Sequence, residues 1–243
     1  MRELIIPNWP APKCVKAVSS TRFGGVSLAP YAGLNVGAHV GDDLHLVEQN
    51  RQRVTQLAEM PSAPVWLNQT HSTEVVVLNA PTSMVVDADG AFTTQGGVVC
   101  SAMTADCLPI LLTNTQGTQV AAVHAGWRGL VNGITENALN HFSGDVMAWL
   151  GPAISPSAFE VGDEVRQAFI EKHSQAHLAF TPGKQTGKWW ANMPLLATQR
   201  LQRQGVMAIY GGDLCTYQDP ERFYSYRRDG VTGRQASFIW IAE

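Results

Sequence analysis

Charge is what this sequence has least of. Only 15% of its 243 residues are Asp, Glu, Lys or Arg, against about a quarter in ordinary soluble domains. The formal net charge is -3, and this weak acidic balance argues against a general nucleic-acid binder, which needs a basic surface. Long apolar runs are also missing. No stretch approaches the roughly 20 residues that span a bilayer, and the opening Met1–Asn8 carries no apolar leader segment. The expectation is a protein without a membrane partner. Cysteine is sparse, and Cys14, Cys100, Cys107 and Cys215 make no C-x-x-C pair, which disfavours a zinc ribbon or a thioredoxin-type site. Four scattered thiols in a chain long enough to build a core do not form a disulfide scaffold and point to the cytoplasm. Neither G-x-G-x-x-G nor G-x-x-x-x-G-K-[ST] occurs, so the dinucleotide fingerprint and the P-loop are absent. No repeat, low-complexity tract or convincing linker divides the chain, and residues 1–243 read as one domain.

What is present is apolar and patterned. Hydrophobic residues make up 45% of the chain. Cys14–Ser20 reads as a strand and is followed by a loop rich in Gly, Pro and Asn up to Gly41. Asp42 and Asp43 offer an N-cap to a helix whose Leu44, Val47, Arg51, Val54, Leu57 and Ala58 fall at helical spacing, ending at Met60-Pro61. Val98–Met103, Leu108–Leu112 and Gln119–His124 alternate little, as strands buried on both faces do. Gly126-Trp127-Arg128-Gly129 opens a helix with Leu130, Ile134, Ala138 and Phe142 on one side. Val146–Leu150, Val206–Tyr210 and Ser237–Ile241 read as strands, Glu160–His173 and Ala191–Gln204 as amphipathic helices, and Asp219–Gln235 as a polar loop with Arg222, Arg227, Arg228 and Arg234. This irregular order fits a mixed sheet with helices packed outside, rather than a doubly wound Rossmann sheet.

Three segments place a reactive residue beside an apolar strand: Asn68-Gln69-Thr70-His71-Ser72, Thr104-Ala105-Asp106-Cys107-Leu108-Pro109 and His124-Ala125-Gly126-Trp127-Arg128-Gly129. Strand ends are where an α/β scaffold commonly presents its site. Singly, each residue is weak evidence, since a lone His in a turn is usually structural and a lone Cys is usually core. Together, two imidazoles and a thiolate make a borderline-soft set that suits zinc, and three protein ligands leave a fourth position open, as in catalytic zinc sites. The spacing itself is not diagnostic.

The run Thr21-Arg22-Phe23-Gly24-Gly25-Val26-Ser27, then Leu34-Asn35-Val36-Gly37 and His39-Val40-Gly41-Asp42-Asp43, resembles the opening of the YfiH family. That family is also called the laccase-domain, polyphenol-oxidase-like or peptidoglycan-editing-factor family. The three segments above match its motifs, as do Trp149–Ile154, Phe159–Gly162 and Tyr224–Gly230, so the likeness runs over nearly the whole chain. The resemblance implies an α/β (α+β) fold, a single-domain αββα-type sandwich with mixed sheets. It also implies a zinc site of His71, Cys107 and His124, with copper as the older assignment. The implied activity is phosphorolysis of purine nucleosides, namely adenosine, inosine and methylthioadenosine, using inorganic phosphate, with adenosine deamination on the side. Two further roles attach to the family: copper-dependent phenol oxidation, and editing of cell-wall precursors of the UDP-MurNAc type that carry Ser in place of Ala.

Phosphorolysis needs a phosphate held against the ribose anomeric carbon. Arg22, Arg128, Arg227 and Arg228 are the candidates for anion contacts, Arg128 also because it falls in the first turn of its helix. Gln69 is a candidate for reading a base edge or capping its turn, and Asn35 for the turn before Val36-Gly37. Asp106 is read as a structural partner or as a carboxylate behind a ligating His. Trp127, Trp189 and Trp190 are candidates for stacking on a purine, although core packing is the commoner fate of Trp. No residue is named as general base. Three alternatives stay open: a metal-free cysteine hydrolase with Cys107 as nucleophile and His71 or His124 as base, a copper oxidase, and a non-enzymatic nucleoside-binding protein.

Overall fold

The computed structural model describes residues 3–242. Met1 and Arg2, at the head of the segment read as lacking a leader, lie outside the described residues.

Two sheets are stacked. One has six strands in the order Ala208–Gly211, Val146–Leu150, Leu108–Asn114, Val120–Ala125, Gly90–Thr93, Val75–Leu78, with a parallel pair at each edge and antiparallel pairs between. The other is antiparallel and has the order Leu4–Ile5, Val15–Ser20, Gln235–Ile241, Cys100–Thr104. Glu160–Gly162, Lys188–Ala191 and Phe180–Pro182 form a separate three-stranded antiparallel sheet.

Alternation along each strand creates the layers. Ile110, Leu112, Ala121 and Val123 face helices Trp127–Asn132, Ile134–Leu139, Asp163–Lys172 and Met193–Arg203, which contribute Leu130, Ile134, Phe169 and Leu196. The intervening Leu111, Val120 and Ala122 turn the other way and meet Ala17, Cys100, Ala102 and Ile239 of the four-stranded sheet. The far side of that sheet, with Val18, Met103, Phe238 and Trp240, is covered by Val54 of helix Leu44–Leu57 and by Leu34 and Val36. The result is the expected mixed-sheet αββα sandwich. Leu111 is fully buried between the sheets, and truncation of such a residue to Ala costs about 2–5 kcal/mol.

Local expectations hold with three corrections. Helix Leu44–Leu57 is capped by Asp43, whose carboxylate accepts the His45 N–H at 2.8 Å. The single helix read from Gly126 is two, because Gly133 between them adopts φ +106° and ends the first. A chain in the left-handed region cannot continue a right-handed helix. Glu160–Gly162 is a strand rather than a helical start: it pairs with Lys188–Ala191, and the helix begins at Asp163. The polar stretch Asp219–Gln235, read as a loop, contains the short helix Tyr226–Asp229.

Candidate metal centre

Register brings the site together. Leu108 pairs with Ala125 and Pro109 with His124, so Cys107, just before Leu108, stands at the end of the strand that carries His124. On the other side of that strand Gly90 pairs with Val123, which sets Asp89 beside His124, and the His124 N–H donates to the Asp89 carbonyl at 2.7 Å. His71 arrives from a loop. That loop is tied down by the Asp89 carboxylate, which accepts the backbone N–H groups of Thr70 (3.1 Å), His71 (3.0 Å) and Ser72 (2.6 Å) and the Ser72 hydroxyl (2.7 Å). It is clamped again by Gln69, whose amide donates to the Met103 carbonyl and accepts the Met103 N–H, both at 2.8 Å. His71 itself sits at φ +63°, a conformation that these bonds hold in place.

The donor atoms of His71, Cys107 and His124 lie within 4.8 Å of one another. Cys107 Sγ is 3.7 Å from His71 Nε2. Nitrogen and sulfur ligands at ~2.1 and ~2.3 Å from a tetrahedral ion are about 3.6 Å apart. His124 Nδ1 contacts Asp89 Oδ1 at 2.7 Å. That bond leaves Nε2 as the free donor, the arrangement by which a carboxylate orients a metal-binding imidazole. Gly126 completes the cradle: a Cβ there would stand 2.6 Å from His71 Cδ2 and 3.2 Å from Cys107 Sγ. Two nitrogens and a thiolate converging on one point fit a divalent ion of borderline softness.

Electrostatics hold Asp89 ionised and favour the thiolate at Cys107. Burial alone would raise the Asp89 carboxyl, but hydrogen bonds from His124 and Ser72 prevail and hold it near 2. Burial pushes the Cys107 thiol up, and the facing His124 and His71 bring it down to about 6, which favours the thiolate a metal needs. Burial disfavours the His124 imidazolium, and Cys107 and Asp89 outweigh it, raising the group.

Two cavities flank Cys107. The larger, about 340 Å³, is lined by His71, Cys107 and His124 together with His39, Gln69, Thr104, Arg128, Tyr226 and Arg234. The smaller, about 130 Å³, is walled by Trp127, Ile154, Phe159, Met193, Tyr226 and Arg227. Of the residues singled out from sequence, Gln69 and Arg128 line the first cavity and Arg227 the second. Arg128 is exposed and lies over the Trp127 ring at 4.4 Å. Arg227 donates to the Glu160 carbonyl at 2.8 Å. Arg22, Asn35 and Arg228 line neither cavity. Arg22 donates to the Ala32 and Pro220 carbonyls and covers Tyr224. Arg228 donates to the Thr216, Tyr217 and Phe223 carbonyls and pairs with Asp229. Asn35 bridges Gly37, Arg234 and Asp42. Trp189 is held away from the site by Asp163 and Arg166.

Asp106 resolves to the structural role. At φ +92°, its carboxylate accepts the Thr216 hydroxyl (2.7 Å) and the Arg227 N–H (2.6 Å), and so fixes the C-terminal loop beside Cys107. The carboxylate behind the histidine is Asp89, which sequence reasoning missed, as it missed His39, Tyr226 and Arg234.

The αββα sandwich carries, at its strand ends, a His–Cys–His cluster that could hold a metal ion, and its sequence places it in a laccase-like class. The chain belongs to the family described as multi-copper polyphenol oxidoreductase laccase, whose sequence model matches residues 16–242. It is 51% identical over 244 residues to the protein named purine nucleoside phosphorylase YfiH of Escherichia coli, covering 99% of this chain and 100% of that one. It is 48% identical over 246 residues to purine nucleoside phosphorylase PA4543 of Pseudomonas aeruginosa, covering 100% of both. Among solved structures, the Neisseria meningitidis protein NMB0706 superposes with a TM-score of 0.94 at 46% identity, covering 99% of this chain and 100% of that one. Among the described residues no helix is long and apolar enough to cross a membrane.

Proposed function

We propose that this protein is a zinc-dependent purine nucleoside phosphorylase of the cytoplasm, one catalytic domain over residues 1–243. Its substrates are adenosine, inosine and methylthioadenosine with inorganic phosphate, and adenosine deamination is a side activity. The observation that carries the reading is the convergence of His71, Cys107 and His124 within 4.8 Å beside a cleft wide enough for a small ligand. The names of the relatives at 51% and 48% identity support it.

In phosphorolysis a phosphate oxygen forms a bond to the anomeric carbon as the glycosidic bond breaks. The base leaves with the bonding electrons and takes up a proton, giving ribose 1-phosphate and free purine. When bound, zinc supplies a positive centre with an exchangeable position. This chain's own residues do the holding. Asp89 keeps His124 and the His71 loop in place, and Gly126 leaves room for the imidazole. Arg128 and Arg227 stand at the two cavities with positive charge for substrate, and the apolar wall of Phe159, Ile154 and Met193 suits a purine face. Arg22, Asn35 and Arg228 serve by shaping the loops around the cleft.

A second reading draws on the Asp89–His124 pair next to Cys107, the order of contacts found in cysteine hydrolases. It would suit the editing of UDP-MurNAc-type precursors without metal. A copper oxidase is a weaker case, since oxygen reduction by multicopper enzymes needs further copper ligands. One experiment separates them: a nucleoside panel with and without phosphate, on protein of measured metal content. Phosphate-dependent release of adenine with stoichiometric zinc supports the phosphorylase. Free ribose as sole product indicates hydrolysis, and full activity in chelator removes the metal.

A further inference from the structure

We propose that Arg234, with Thr104, forms the subsite that holds the phosphate oxyanion on the wide side of the metal centre. The identity of the anion rests on the phosphorylase reading; the subsite itself rests on geometry.

Both residues line the 340 Å³ cleft together with the three ligands, and no carboxylate lines it among the described residues. Arg234 is placed there by its backbone. Its N–H donates to Asn35 Oδ1 at 2.8 Å, and its carbonyl accepts the Val36 N–H at 3.1 Å. Gly37 leaves space for the side chain, because a Cβ at that position would stand 2.7 Å from Arg234 Cγ. The guanidinium donates through Nη1 alone, to the Thr232 and Gly233 carbonyls at 3.1 and 2.9 Å, and makes no salt bridge among the described residues. Half-buried and held at one corner, it feels the charges of Cys107 and Asp106 without forming a salt bridge to either, and its remaining N–H groups make a positive fork prepared for an oxyanion.

Thr104 supplies the second observation. It is 2% exposed, and its Oγ1 is buried without a hydrogen-bond partner among the described residues. Buried hydroxyls are normally satisfied, so an orphan beside a cleft marks a place where a ligand or its water completes the bonding. Thr104 also pairs in register with Gln235, next to Arg234, so the strand pairing itself brings the hydroxyl and the guanidinium to the same end of the sheet. Arg128, which lines the same cleft, adds a second positive charge, and His39, whose imidazolium is disfavoured by burial and by Arg234, adds a neutral polar group.

The shared chemistry is a tetrahedral phosphate group, which could belong to inorganic phosphate or to a nucleotide. The test measures binding of inorganic phosphate and of AMP by calorimetry on zinc-loaded protein, and KM for phosphate with adenosine. The variants are Arg234→Gln and Thr104→Val, the second nearly isosteric and removing only an unpaired hydroxyl. We expect Arg234→Gln to weaken phosphate binding at least about 10-fold and Thr104→Val about 3-fold. Zinc content should be unchanged and the melting temperature of Thr104→Val no lower. Wild-type phosphate affinity in both variants overturns the subsite. AMP binding that the variants weaken in a protein that binds no inorganic phosphate keeps the subsite and assigns it to a nucleotide, against the phosphorylase reading. If Arg234→Gln does not fold, Thr104→Val decides by the same criterion. If phosphate binds and the variants weaken it but no nucleoside is cleaved, the subsite stands and the phosphorylase reading falls. Phosphorolysis with unchanged KM for phosphate in both variants gives the reverse.

Discussion

Asp89 Oδ1 lies 2.7 Å from His124 Nδ1, and the same carboxylate accepts three backbone N–H groups from Thr70 to Ser72. One side chain therefore sets the tautomer of His124 and the loop that carries His71. Replacing it with Asn keeps the volume and removes the charge. Asp89→Asn should weaken zinc binding about 10–100-fold, read by competition with a chromophoric chelator. Wild-type affinity would show that the carboxylate does not orient the site.

The same residue predicts an acid limb. Its folded pKa is depressed, to about 2 from 3.8, so the stability it adds is present above about pH 4 and is lost as pH falls through 2. Melting temperatures of metal-free wild type and Asp89→Asn should differ at pH 7, converge below pH 4 and meet near pH 2. A gap that stays constant over that range would contradict the assignment.

Cys107 and Cys100 make an internal contrast. Burial raises Cys100 to about 12, whereas the imidazoles beside Cys107 bring it to about 6 against the push of its own burial. In chelated protein, Cys107 should therefore be alkylated at a pH-independent rate above about pH 7, falling about tenfold per unit below pH 6. Cys100 should stay unmodified until the protein unfolds. Peptide mapping by mass spectrometry reads both, and added zinc should protect Cys107.

Gly126 tests the cradle. Because a Cβ would stand 2.6 Å from His71 Cδ2, Gly126→Ala must displace the imidazole or the strand end. Activity and zinc content should both fall by at least about tenfold, the scale of a displaced ligand, with the circular dichroism spectrum preserved. Full zinc occupancy would mean that His71 is not a ligand.

His71→Ala, Cys107→Ala and His124→Ala should each lower phosphate-dependent adenine release by at least about 10²-fold, the scale of losing a positioned electrostatic group. Wild-type turnover in any one of them removes that residue from the site.

The layers of the fold were legible because they depend on local periodicity. Ile110, Leu111 and Leu112 are apolar on both faces, and that pattern requires cover on both sides. The helix from Gly126 was misread because its apolar spacing runs on through Gly133, and spacing does not register the φ +106° that breaks it. The strand Glu160–Gly162 was misread because its partner, Lys188–Ala191, lies far along the chain.

His71, Cys107 and His124 stand out from the sequence because each follows or precedes an apolar strand within a family motif. Asp89 does not: its link to His124 exists only across the pairing of Gly90 with Val123. Arg234 was likewise one arginine among four in a polar stretch until strand register set its neighbour Gln235 against Thr104. The chain by itself determined which elements form and which atoms are able to bind a metal, since periodicity and side-chain chemistry are properties of neighbouring residues. Only the tertiary structure decided which carboxylate holds His124 and the His71 loop and which arginines reach the cleft, because those choices are made by hydrogen bonds and pairings between residues remote in sequence.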